Sequence, residues 1–225
     1  MKISADQMKE KVRRLGGDLC GIASIARFGD APAGFHPQDI WKGCRSVVVY
    51  ALRFPGSVLA ADSPSPYTFI RNKMVMKTDE VTFKLVEELE TSGIDAVPIP
   101  SSEPYDYWDA GRRHGQGILS LKHAAVRAGL GSMGRNTLLI TPEFGNMVWL
   151  GATLVAEDLT PDSLPQAEGC IAGCSLCLTK CPAQALTGSS IIQEKCRSYA
   201  YQYTEGGEGV IACNTCRKIC PRCRG

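Results

Sequence analysis

The sequence predicts an α+β domain followed by a small cysteine-rich module, and two observations predict it. Residues 1 to about 160 alternate short β-branched apolar runs with segments of helical period. The last 56 residues then hold nine of the eleven cysteines. Between the two regions Asp158–Gly169 is polar and contains proline, which places a boundary near residue 160 and gives domains of 1–160 and 161–225.

The individual elements follow from local patterns. Ser4 and Gln7 form a capping box ahead of Met8, Val12 and Leu15, an apolar stripe at helical spacing that Gly16-Gly17 terminates. Leu19 to Ile25 reads as a short buried strand, and His36 to Gly43 as a brief helical turn. Ser46 to Phe54 contains Val47-Val48-Val49-Tyr50, whose β-branched and aromatic content marks a central strand. Tyr67 to Ser92 repeats Ile70, Met74, Val81, Leu85 and Leu89 on one side of a helix closed by Gly93. Asp95 to Ile99 reads as a strand, and Pro98 assigns it to an edge because proline donates nothing to a ladder. Ser101 to Gly117 is expected as a long polar and aromatic loop. A helix over Leu119–Ala128, a strand over Arg135–Thr141 and a second strand over Met147–Glu157, after a Phe144-Gly145-Asn146 turn, complete the first domain.

Cys-x2-Cys-x3-Cys-Pro occurs twice, as Cys174, Cys177, Cys181, Pro182 and as Cys213, Cys216, Cys220, Pro221. Cys170 precedes the first copy and Cys196 the second. Eight thiolates in this order supply the ligands of two [4Fe–4S] clusters, the equipment for moving single electrons at low potential. Tetrahedral zinc also uses Cys-x2-Cys pairs, but zinc ribbons rarely add a third cysteine followed by proline. Disulfides would need an oxidising compartment, and the first residues contain no apolar core of signal-peptide length. The thiol pattern and the absence of an 18-residue apolar run therefore predict a cytoplasmic protein without a membrane partner. A net charge of +2 gives no reason to expect nucleic acid. Cys20 and Cys44, beside predicted strands, are expected to be buried inert thiols.

Gly129-Leu130-Gly131-Ser132-Met133-Gly134 matches G-x-G-x-x-G, but a helix precedes it and a strand follows. That reverses the context of a dinucleotide fingerprint, so NAD is not expected. The glycines still permit close backbone approach, with Arg135, Asn136 and Thr137 as adjacent donors.

Taken with the cysteine repeat, this segment resembles the epoxyqueuosine reductase and reductive dehalogenase superfamily. The matching residues are Ala124 to Gly131, Gly134 to Ile140, Leu150-Gly151-Ala152, Glu157-Asp158-Leu159, Cys196 to Tyr199 and Cys213 to Pro221. The resemblance implies a nitroreductase-like, cobalamin-binding type of α+β domain followed by a two-cluster ferredoxin-like domain. It implies a cobalamin between them, with Gly129, Gly131, Gly134, Arg135, Asn136 and Thr137 lining its nucleotide tail. By ferredoxin-type crossing, one cluster would use Cys170, Cys174, Cys177 and Cys220, and the other Cys181, Cys196, Cys213 and Cys216, leaving Cys223 over.

Two departures bear on substrate. Val97-Pro98-Ile99-Pro100-Ser101 stands where epoxyqueuosine reductases carry Val-Asp-Ser-Ala-Pro, so no aspartate matches their proton donor. The sequence stops at Gly225, without the helical repeats of tRNA-acting relatives, so a small-molecule substrate is expected and tRNA is not. Tyr105 and Tyr107 are the first candidate proton donors, being neutral phenols in an irregular segment, with His114 and Asp106 next. Arg112 and Arg113 could clamp an anion, whereas His36 and His123 are expected to be structural. Three functions are carried forward: a corrinoid-dependent reductase, a cobalamin-free electron carrier serving a partner enzyme, and a reductase using FMN. Each needs a low-potential electron donor protein.

Overall fold

The computed structural model describes residues 3–165 and 169–224; Gln166 to Glu168, in the expected linker, lie outside the described residues. Helix α1 (Ala5–Arg14) begins with the predicted capping box, in which Ser4 Oγ accepts from the Gln7 N–H and the Gln7 side chain accepts from the Ser4 N–H. Strands β1 (Leu19–Ser24) and β2 (Ser46–Arg53) follow, with the short helix α2 (Pro37–Ile40) between them. His36 caps α2 by accepting from the Gln38 N–H at 3.1 Å, in keeping with its structural reading.

Helix α3 (Pro64–Thr91) runs the length of the sheet and leads to β3 (Ala96–Ile99). The expected long loop contains a hairpin, β4 (Tyr107–Asp109) with β5 (His114–Gln116). Helix α4 (Leu121–Arg127) then enters the glycine segment, which forms a small ribbon of β6 (Ser132–Met133) and β7 (Leu139–Ile140). Of the strand expected over Arg135–Thr141, Leu139–Ile140 form the ladder and Thr141 makes a single bridge to Gly145. Thr137 instead takes a left-handed φ of 61°, and its N–H donates to the Gly134 carbonyl in a tight turn.

Strand β8 (Val148–Val155) closes an antiparallel sheet of order β1-β2-β8-β3. Residues β2 and β8 are central, and β3 with Pro98 is an edge, as its composition predicted. Alternate residues of β2 feed two cores. Val48, Tyr50 and Leu52 pack with Met8, Val12, Leu85 and Leu89 from α1 and α3. Val47, Val49 and Ala51 pack with Ala124, Ala125 and Ala128 on the opposite face. Burying both faces explains why β2 reads as a continuous apolar run. Among the described residues, no helix is long and apolar enough to cross a membrane.

The cysteine module contains the short helices α5 (Leu176–Thr179), α6 (Gln193–Ala200) and α7 (Thr215–Lys218), and a hairpin of β9 (Tyr201–Tyr203) and β10 (Gly209–Ile211). Arg217 anchors it to the first domain. This buried side chain donates to the Asn146 carbonyl and lies 5.1 Å from the centre of the Phe54 ring. Asn146 returns two bonds, from its backbone N–H to the Arg222 carbonyl at 3.1 Å and from its side chain to the Arg217 carbonyl at 3.3 Å. Arg217→Ala leaves the buried Asn146 carbonyl without its charged donor, at a cost of about 3 kcal/mol. Thermal unfolding followed by circular dichroism is expected to show a Tm lower by roughly 6–12 °C.

Candidate functional site

The eight motif cysteines separate into two groups of four. Cys170, Cys174, Cys177 and Cys220 line one cavity beneath Asn136 and Pro221. Burial, and then the neighbouring Cys170, Cys220 and Cys174, push the Cys177 thiol up. In the second group, burial and then Cys213 and Cys181 raise Cys196, although Arg197 opposes them. Burial pushes Cys216 up to about 11 against the pull of Arg217, with Cys196, Cys213 and Cys181 adding to the rise. Each group thus contains three cysteines from one end of the module and one from the other motif.

Among the described residues, no three His, Cys, Asp or Glu donors converge on a point that could hold one ion. Backbone donors point at the sulfurs: the Arg135 N–H reaches Cys170 Sγ and the Ala185 N–H reaches Cys181 Sγ, each at 3.3 Å. Hydrogen bonds from the Arg222 backbone and the Asn146 side chain lower the Cys220 thiol, against the dominant effect of burial. Such bonds favour the thiolate form and set the potential of an iron–sulfur centre. Cys223 is buried in the core with Leu59 and Phe54, and its N–H donates to the Cys220 carbonyl at 2.9 Å. Cys20 lies on β1 and packs against one core, Cys44 is buried in the other just before β2, and desolvation pushes both thiols up to about 12.

The glycine segment packs closely against the chain's own backbone and the cysteine module. A Cβ at Gly129, whose φ is 80°, would run into the Ser163 carbonyl, and one at Gly131 into the Ile140 carbonyl. The space is therefore filled by the chain's own backbone. Asn136 is buried, donates to the Cys216 carbonyl at 3.0 Å and accepts from the Leu138 N–H at 3.1 Å. Arg135 donates through its guanidinium to the Cys174 carbonyl at 2.9 Å. Gly134 and Thr137 form the intervening turn. The segment contacts the cysteine module through Arg135 and Asn136.

Tyr105 and Tyr107 are not brought together. The Tyr105 hydroxyl accepts from Arg197 at 3.1 Å, whereas Tyr107 is exposed and its ring lies 6.3 Å from that of His114. Sequence reasoning missed Asn146, Gln193 and Arg197. The position of Arg197 immediately after the ligand candidate Cys196 was the available signal.

No family model matches the chain. The epoxyqueuosine reductase of Bacillus cereus is 27% identical over 260 residues, covering 98% of this chain and 66% of that protein. The chain resembles the epoxyqueuosine reductases along nearly its whole length. The Staphylococcus aureus enzyme is 37% identical over 120 residues, 48% of this chain and 31% of its own length. The chain thus spans from about a third to about two thirds of these relatives. Among solved structures, an epoxyqueuosine reductase with a modified tRNA-Tyr stem loop aligns with a TM-score of 0.65 at 20% identity, covering 97% of this chain and 64% of that one. A catabolic reductive dehalogenase in complex with 3-bromo-4-hydroxybenzoic acid gives 0.67 at 20% identity, covering 98% and 32%.

These findings overturn the expectation of a small-molecule substrate and no nucleic acid. The relatives are named as epoxyqueuosine reductases, and one neighbour was solved on a tRNA stem loop. The expectation had rested on net charge and on where the sequence stops, and neither specifies a substrate.

Single substitutions separate the two thiol groups. Cys177→Ala and Cys216→Ala are each expected to halve the bound iron and remove one of two electron paramagnetic resonance signals. Cys223→Ala is expected to leave both. Gly131→Ala is expected to lower stability and to loosen the module, because a backbone oxygen occupies the place of the new methyl group.

Proposed function

We propose that this chain is an iron–sulfur reductase of the epoxyqueuosine reductase type, with a nitroreductase-like domain over 1–160 and a ferredoxin-like domain over 161–225. Cys170, Cys174, Cys177 and Cys220 hold one [4Fe–4S] cluster; Cys181, Cys196, Cys213 and Cys216 hold the other. The division of eight thiols into these two groups, each crossing between motifs, carries the reading. The relatives extend it to a reductase working with a corrinoid, since one structural neighbour is described as a B12-dependent dehalogenase. They also extend it to a substrate nucleoside borne by RNA. No observation favours FMN.

The chain's own residues supply charge transfer and a proton. The two groups of four thiols would each hold a one-electron centre, which would supply single electrons for the reduction. A corrinoid, when bound, supplies low-valent cobalt that can reduce a carbon–heteroatom bond. Tyr105 is the proton donor best placed in the chain, because Arg197 only donates and leaves the phenolic hydrogen free to point elsewhere.

The committed glycine segment favours a second reading, a cobalamin-free protein that hands electrons to a partner enzyme. Anaerobic reconstitution followed by addition of cob(II)alamin separates the two. The first reading expects a base-off Co(II) resonance beside the cluster signals; no uptake leaves the second. Tyr105→Phe is expected to keep cluster absorbance and to lower turnover about 100-fold, within the usual range for loss of a general acid.

A further inference from the structure

Several aromatic rings gather beside the second thiol group without holding it. Tyr107 and Trp108 lie on β4, and Arg112, Arg113 and His114 follow across the hairpin turn. Trp108 stacks on Tyr105, with ring centres 5.8 Å apart and planes 18° from parallel, yet remains 48% exposed. The platform is fixed from beneath. Gly115 faces Trp108 across the ribbon, and a Cβ there would stand 3.1 Å from both rings. The Gln193 amide bonds both the N–H and the carbonyl of Gly115, each at 3.0 Å. The Arg197 guanidinium lies 5.0 Å from the Trp108 ring, 5.2 Å from Tyr105 and 5.8 Å from Tyr201.

A large ring held flat, exposed and flanked by guanidinium groups has the chemistry that stacks unpaired bases, because every base presents a π-face. Asp109 is spent on the turn, where its carboxylate accepts from the Arg112 N–H at 3.0 Å. The Arg112 side chain is 82% exposed and its ion pair with Asp109 is long, at 3.9 Å, so little holds it back from a phosphate. Asp106 lies in the same loop, which confines the attraction to the hairpin tip.

We propose that this hairpin grips the RNA substrate: an unpaired base stacks on Trp108, and Arg112 and Arg113 meet the backbone phosphates on either side. The proposal rests on the RNA reading above and adds where and how the strand is held.

The test uses the full chain, loaded with clusters and kept anaerobic, and a fluorescently labelled RNA hairpin with an unpaired loop. Trp108→Leu is expected to weaken binding tenfold or more, about the loss of one stacked base, while Trp108→Phe retains most of it. Arg112→Gln with Arg113→Gln, at the exposed tip, is expected to reduce the salt-dependence slope by about two. Cluster absorbance reports whether the module is intact in each variant. Unchanged affinity in Trp108→Leu, or an unchanged slope in the double variant, overturns the hairpin assignment and leaves the RNA reading standing. Failure of the unsubstituted protein to bind the hairpin at all overturns both.

Discussion

The cysteine module has little apolar core of its own, and the rest of the molecule is arranged around that shortage. From Cys170 to Cys223 the buried side chains are few: Cys177, Ala185, Ala200, Val210, Arg217 and Cys223. A segment of this size cannot bury enough surface to fold by itself, so it must borrow order from a neighbour. The sheet is that neighbour. Asn136, Asn146 and Arg217 exchange backbone-directed bonds across the junction, where water is excluded and each lost bond is costly.

This dependence joins structure to redox chemistry. The residues that dock the module also touch the thiols: Arg135 donates to Cys170, and Asn146 reaches Cys220. Docking and tuning are therefore not separable, and a weakened junction would also alter the environment of the sulfurs. On the opposite side Gln193 and Arg197 connect the second thiol group to the β4–β5 hairpin, so changes there can reach the surface through two side chains.

Much of the first domain was legible because local and tertiary preferences agree. The Ser4–Gln7 box, the apolar run of β2 and the edge position of Pro98 each follow from a property of the residues themselves. The hairpin was not legible. Tyr107-Trp108-Asp109 and His114-Gly115-Gln116 have no apolar alternation, and their support comes from Gln193, 78 residues away. Near Thr137 the β-branched composition suggested a strand, but the buried bond from Asn136 to Cys216 imposes a turn. At the site, spacing identified the eight thiols, while their crossing came from the resemblance. The aromatic surroundings of Arg197 depend on three segments distant in sequence, and no local pattern encodes them.

Pro98 has a consequence for the chain before folding is complete, because the outer strand β3 is an edge of the sheet. Pro98 removes one amide donor from the middle of that strand. A broken ladder is a poor template for edge-to-edge pairing, which protects the folding polypeptide from aggregation.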